Sequence, residues 1–314
     1  MSKGEFENYT QIIKHIDELI DFLNSIQIDP ESKSHLENDY LRAHEFFENY
    51  KNSPSNVTNA DGRGALGGLY ELYKWVWSVK ESEEFNKLTP HLNLLLQASP
   101  RINAQTPLLN PVTNKQDDKT NKFIEAIIGF FTVAHGKNVD LDDPVYSSGG
   151  DNPDIIFTYQ EQIISIACKT LRSKNPSTIF QNIESAAKQI SRANCDDGYI
   201  VLNFMNIIDH GKIQEKIFTT VAEPFNIIKD EINELYASVL STCKDELATL
   251  FSENTKTCPI VISIIHSHTK LNSPIGIIST SLKGTLITNL KDPDTYPEHQ
   301  LELPRDLNNF IHNI

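Results

Sequence analysis

The segments Gly149-Gly150-Asp151-Asn152-Pro153-Asp154-Ile155-Ile156-Phe157 and Ile163-Ile164-Ser165-Ile166-Ala167-Cys168-Lys169-Thr170-Leu171 restrict the fold more than any other part of the chain. Both are short apolar runs of strand-forming residues, and the polar residues Gln160 to Gln162 between them make the pair a hairpin. The first run opens on an acid, Asp154. The second closes on a lysine, Lys169. In a strand from Glu161 to Lys169, alternate side chains share a face. Ile164, Ile166 and Cys168 form one set and read as core; Ile163, Ser165, Ala167 and Lys169 form the other. Lys169 and position 167 therefore point the same way, toward the side on which Asp154 projects.

An acid at the head of one strand and a lysine at the foot of the next is the layout of a metal-dependent phosphodiesterase. Pro153-Asp154 and Ala167-Cys168-Lys169 resemble the two halves of the PD-(D/E)xK, or restriction-endonuclease-like, nuclease motif, with the second acid replaced by Ala167. The order of elements over roughly residues 117 to 208 is also similar to that family. A helix containing Lys122 to Phe131 and carrying Glu125 precedes a strand, the two motif strands, a helix ending Ala186-Ala187-Lys188-Gln189, and the strand Tyr199 to Phe204. The resemblance implies catalytic roles for Glu125, Asp154, position 167, Lys169 and Gln189. It implies Mg2+ or Mn2+ held by Asp154, position 167 and the main-chain carbonyl of Cys168. Such a metal lowers the pKa of bound water and stabilises the charge of the transition state, while Lys169 orients the attacking water or neutralises the developing charge.

Ala167 leaves Asp154 as the only strand carboxylate, so metal affinity and rate should collapse in this chain. Three accounts of the substitution compete. A parent sequence carries glutamate at this position and has been changed to alanine, a change that removes the ligand without overpacking the strand. The acid has migrated to Glu184 on the following helix. Or the fold is a natural pseudo-nuclease that binds without cutting. The intactness of the rest of the motif favours the first. Each residue also has an ordinary reading: Glu125 as a helix-surface acid, Asp154 as a turn residue, Gln189 as helix surface, and Lys169 as a lysine reaching solvent from a buried strand.

With 28 basic and 42 acidic residues the net charge is −14, which makes the chain a poor free-standing DNA binder. Residues 1–110 hold 10 basic and 16 acidic residues, so neither part of the chain is a basic arm. Nucleic acid, expected to be DNA, must then be gripped by a local cleft of Arg172, Lys174, Lys188 and Arg192, or through a protein partner or homo-oligomer. Four cysteines without CxxC spacing give neither a zinc site nor a disulfide framework. The chain shows no signal-like or membrane-spanning run, which predicts a cytoplasmic protein without membrane contact.

Apolar residues recur at helical spacing from Tyr9 to Leu23, from Leu36 to Phe47, and through Leu69 to Trp77. These predict a helical domain over 1–110 that regulates the protein or binds a partner, with both tryptophans in its core. Gly62-Arg63-Gly64-Ala65-Leu66-Gly67 matches GxGxxG but follows a polar loop, so it predicts a flexible helix start and no phosphate cradle. The Pro-containing stretch 100–118 reads as a linker ending at 111–118. Residues 119–314 form the expected nuclease-like α/β domain, a mixed sheet flanked by helices with helix and strand extensions. In the extension, Pro224 interrupts a helical run. Phe225, Ile228, Ile232, Leu235, Val239, Cys243, Leu247 and Leu250 then make a stripe suited to core or to a dimer seam. Two strands follow, Pro259 to Ile265 and Ile275 to Thr280, with His266 and His268 as polar residues at a strand end. Together these features predict a Mg2+-dependent DNA endonuclease, the effector of a bacterial restriction or anti-phage system, disarmed at Ala167. The other class they admit is a non-catalytic nucleic-acid-binding or assembly subunit.

Overall fold

The computed structural model describes residues 9–28, 34–52, 60–96, 118–144, 152–274, 276–292 and 295–313. Of the linker expected at 100–118 only Asp118, the first residue of a helix, is described, and the Gly149-Gly150-Asp151 turn lies outside these residues. The described residues form two compact units.

The first unit contains helices α1 (Tyr9–Ser25), α2 (His35–Asn52), α3 (Ala60–Val79) and the short α4 (Thr89–Leu92), together with the segment Asp118–Phe130 of α5 (Asp118–His135). Their apolar stripes close on one core that includes Ile16, Leu19, Leu23, Phe46, Leu72 and Trp75. Trp75 is fully buried and its ring lies 5.9 Å from that of Phe130. Trp77 is half-buried between Phe22 and Tyr73, with the Lys80 ammonium 4.3 Å over its ring. Gly62 to Gly67 lie inside α3, so this GxGxxG is helix. The contact boundary falls within α5 and places Asp118–Phe130 with the helical unit, where the sequence suggested a domain beginning at 119.

The second unit is an α/β layer structure built on a mixed sheet. Its strands are β1 (Lys137–Leu141), β2 (Ile155–Tyr159), β3 (Gln162–Thr170), β4 (Asp197–Asn203), β5 (Ile217–Phe218), β6 (Thr257–Ser273) and β7 (Gly276–Asn289). Among the described residues the sheet has seven strands, ordered β1-β2-β3-β4-β6-β5, with β7 on the other side of β6. β2 and β3 form the expected antiparallel hairpin. Gln160 and Glu161 both take positive φ, 46° and 68°. A two-residue turn of this kind matches the right-handed twist of its strands.

Helix α6 (Pro176–Arg192) carries the chain from β3 to the parallel β4. It starts where Asn175 accepts the Thr178 N–H and Pro176 supplies a preset φ. A short α7 (Gly211–Gln214), α8 (Ala222–Thr242) and α9 (Lys244–Glu253) lead on to β6, which is parallel to β4. The apolar faces of α6, α8 and α9 pack with Ala167, Ile200, Leu202, Val261 and Ile265 in one core. Gly198 lets α6 approach the sheet closely, since a Cβ there would lie 2.2 Å from Ile190. α10 (Glu302–Asn313) lies against β7, and its Asp306 accepts from the Tyr159 hydroxyl at 2.6 Å.

Three expectations are corrected. Pro224 does not interrupt the helical run; it sits in the first turn of α8, where no intrahelical N–H is required of it. The break comes at Cys243, whose φ of −121° separates α8 from α9. The stripe through Ile228, Ile232, Val239, Cys243, Leu247 and Leu250 is buried in the unit's own core, so it is not a dimer seam. β6 and β7 extend well past the runs seen in sequence and place His266 and His268 inside a strand instead of at its end.

Candidate functional site

The register of the β2–β3 hairpin fixes the geometry. Ile155 pairs with Ile166. Continuing one residue past β2 sets Asp154 across from Ala167, and directly opposed residues of an antiparallel pair project to one face. That face is the α6 side. Ala167 is fully buried there among Ile179, Ile183, Ala186 and Ala187. Asp154 is half-buried, and its Oδ2 accepts the Cys168 N–H at 2.6 Å. The carboxylate thereby extends the ladder beyond the end of β2. The Asp154 main-chain carbonyl accepts the Asp142 N–H at 2.8 Å, anchoring the same corner from the other side.

Lys169 lies two residues beyond Ala167 on this face. Its Nζ donates to Gln189 Oε1 at 2.5 Å, and Gln189 Nε2 donates to the Asn152 carbonyl at 3.0 Å. Asn152 falls opposite Lys169 when the hairpin register is extended. Gln189, only 3% exposed, is therefore a clamp across the open end of the hairpin, with both ends of its amide satisfied. The structure thus brings Asp154, Ala167, Lys169 and Gln189 together. Glu125 is half-buried on the α5 segment that belongs to the first unit.

The charged residues around α6 are committed elsewhere. Glu184 closes an i,i+4 pair with Lys188 at 2.7 Å, about 140° around the helix from Gln189. Glu184 is therefore not a migrated site acid. Lys174 and Lys212 both bind Glu231, at 2.7 and 3.2 Å, and Glu231 also accepts the Asp209 N–H. Burial opposes ionisation of Glu231, but its bonds to the two lysines outweigh this and hold its carboxyl below the ordinary range. Arg172 is half-buried and Arg192 exposed.

The donor set does not fit a divalent metal. Among the described residues there is no group of three His, Cys, Asp or Glu side chains placed to hold one. Asp154 already spends one oxygen on the β3 main chain. The helix-face basic residues and the hairpin pair were visible in sequence; the Glu231–Lys212 tie was not. Nor was His210, 6% exposed, whose Nε2–H donates to the Met205 carbonyl at 2.7 Å while Nδ1 accepts from Ser267 at 2.8 Å. A cavity of about 420 Å³ lined by Asp197, Cys258, Asn289 and Gln300 opens at the opposite end of the parallel strands. Burial pushes the Cys258 thiol there up to about 12, which keeps it protonated.

No family model, curated protein or solved structure matches this chain.

Proposed function

We propose that the second unit is a PD-(D/E)xK-type, restriction-endonuclease-like core that engages DNA, with its cleavage centre incomplete at position 167. The observation that carries this reading is the hairpin corner, where Asp154, position 167 and Lys169 share the α6 face and Gln189 holds the lysine. In this arrangement Lys169 is available to a phosphate oxygen or an attacking water beside Asp154. Ala167 is fully buried against α6, so the corner as it stands has no second carboxylate and the chain binds without cutting, while a glutamate there must push aside packed helix groups to reach Asp154. A role in bacterial restriction or anti-phage defence, through DNA recruited by a partner, belongs to the same reading. No helix of the described residues is long and apolar enough to cross a membrane.

The test is plasmid cleavage with Mg2+ or Mn2+. The chain as it stands should leave supercoiled DNA intact, and Ala167→Glu should nick or linearise it. Robust cleavage by the unaltered chain would refute the incomplete centre. A well-folded Ala167→Glu protein that binds DNA but never cuts would identify a nuclease-like fold used only for binding or assembly.

A further inference from the structure

The last hairpin of the sheet carries a charge pattern that the hairpin corner does not use. From Asn254 to Lys291 the chain contains four lysines and no Asp or Glu, in a protein of net charge −14. β6 pairs with β4 only as far as Ile264, opposite Asn203, and then runs on to Ser273. At about 3.3 Å per residue this carries it about 30 Å beyond the end of β4. Its pairing with β7 is continuous to the tip, where Gly276 takes a φ of 111°. Lys169 is level with Leu202 near the end of β4. The ribbon therefore extends past the same end of the sheet as Lys169 and Asp154, with His268, Lys270 and Lys283 on the face opposite the one that Ala167 shares with Val261, Ile265 and Leu282.

Its two faces differ in chemistry. On one, Ser267 bonds His210, Thr269 donates to the Ile213 carbonyl at 2.9 Å, and Leu282 is fully buried. On the other, His268, Lys270 and Asn272 are exposed, and the register adds half-buried Ser281 opposite His268 and half-buried Lys283 opposite His266. Strands disfavour Asp and Glu in general, which accounts for the missing acids. That preference also works against lysine, so it does not explain an exposed face of ammonium, imidazole, amide and hydroxyl groups.

We infer that this face of the β6–β7 ribbon docks the phosphate backbone of nucleic acid, with Lys270 and Lys283 on phosphates and His268 and Asn272 donating beside them. The inference rests on the proposed engagement of DNA and supplies the local positive surface that an acidic chain needs for it. Each phosphate contact contributes about 0.9 to the slope of log affinity against log salt for a duplex. Fluorescence anisotropy of a short fluorescein-labelled duplex, titrated with the full chain between about 50 and about 200 mM KCl, reads this slope directly. Lys270→Gln with Lys283→Gln should flatten it by about 1.8, so that the loss of affinity is about tenfold greater at about 50 mM than at about 200 mM KCl. Lys270→Gln alone, at an exposed position, should flatten it by about 0.9 with an unchanged melting curve. If the parent binds and both variants keep its slope, the ribbon is not the dock while the DNA reading stands. If the parent binds no duplex at any salt, both fall. If the variants instead alter the oligomeric state in light scattering and leave the slope untouched, the ribbon contacts a second copy of the chain and the inference is overturned.

Discussion

Ala167→Glu is the perturbation that tests the hairpin corner most directly, through stability as well as activity. Position 167 is fully buried against Ala186, Ala187 and Ile183. A glutamate side chain there must displace packed groups, at about 1–3 kcal/mol for overpacking. Its carboxylate, buried without donors, adds about 1–3 kcal/mol more. For a unit of this size about 1 kcal/mol shifts Tm by about 2–4 °C, so the variant should melt about 10 °C below the parent in metal-free buffer. If the introduced carboxylate and Asp154 then chelate Mg2+, saturation at about 100 times Kd returns about 2.7 kcal/mol, a rise of about 5–10 °C. Ala167→Gln has nearly the same bulk without the charge; it should lose similar stability and show no response to Mg2+. Differential scanning calorimetry with EDTA and with Mg2+ on all three proteins separates these effects. An equal Mg2+ response in the Glu and Gln variants would refute metal binding at this corner. A Glu variant that melts with the parent would refute the close packing on which the argument depends.

Gln189→Leu should cost about 1–3 kcal/mol by orphaning the Asn152 carbonyl and the Lys169 ammonium, measured by urea denaturation; an unchanged midpoint would show that the clamp is not formed in solution. Glu231 has a lowered carboxyl pKa, so its stabilisation is complete above the unfolded carboxylate range and is lost as pH falls through the folded value. Glu231→Gln should therefore lower the urea midpoint at neutral pH by an amount that shrinks as pH falls below the unfolded carboxylate range; a deficit that does not change with pH would assign the effect to packing. Gly198→Ala should destabilise by about 1–3 kcal/mol, because its Cβ would meet Ile190 and the Ser165 hydroxyl. A neutral result by thermal melting would mean that α6 rides farther from the sheet.

Periodicity determined what it could act upon locally. The alternation from Ile163 to Lys169 and the polar turn before it were enough to specify a hairpin and its faces, because a strand's side-chain period of two leaves one register once a side is buried. The same logic located α1, α2 and α3 from stripes of apolar residues. Asp154, Ala167 and Lys169 could be placed on a shared face for that reason alone. An apolar stripe says that a helix face is covered without saying by what, so the α8–α9 stripe suggested a dimer seam until α6 and the sheet were seen to cover it. Proline likewise breaks a helix only beyond its first turn, and where that turn begins is set by the fold around Pro224. Gln189 reaching Asn152, Glu231 collecting Lys174 and Lys212, and His210 bonding Ser267 join residues far apart in the chain. No local pattern encodes these contacts. They arise because parallel strands joined through helices bring distant segments to one sheet edge, where buried polar groups must find partners among whatever the topology delivers.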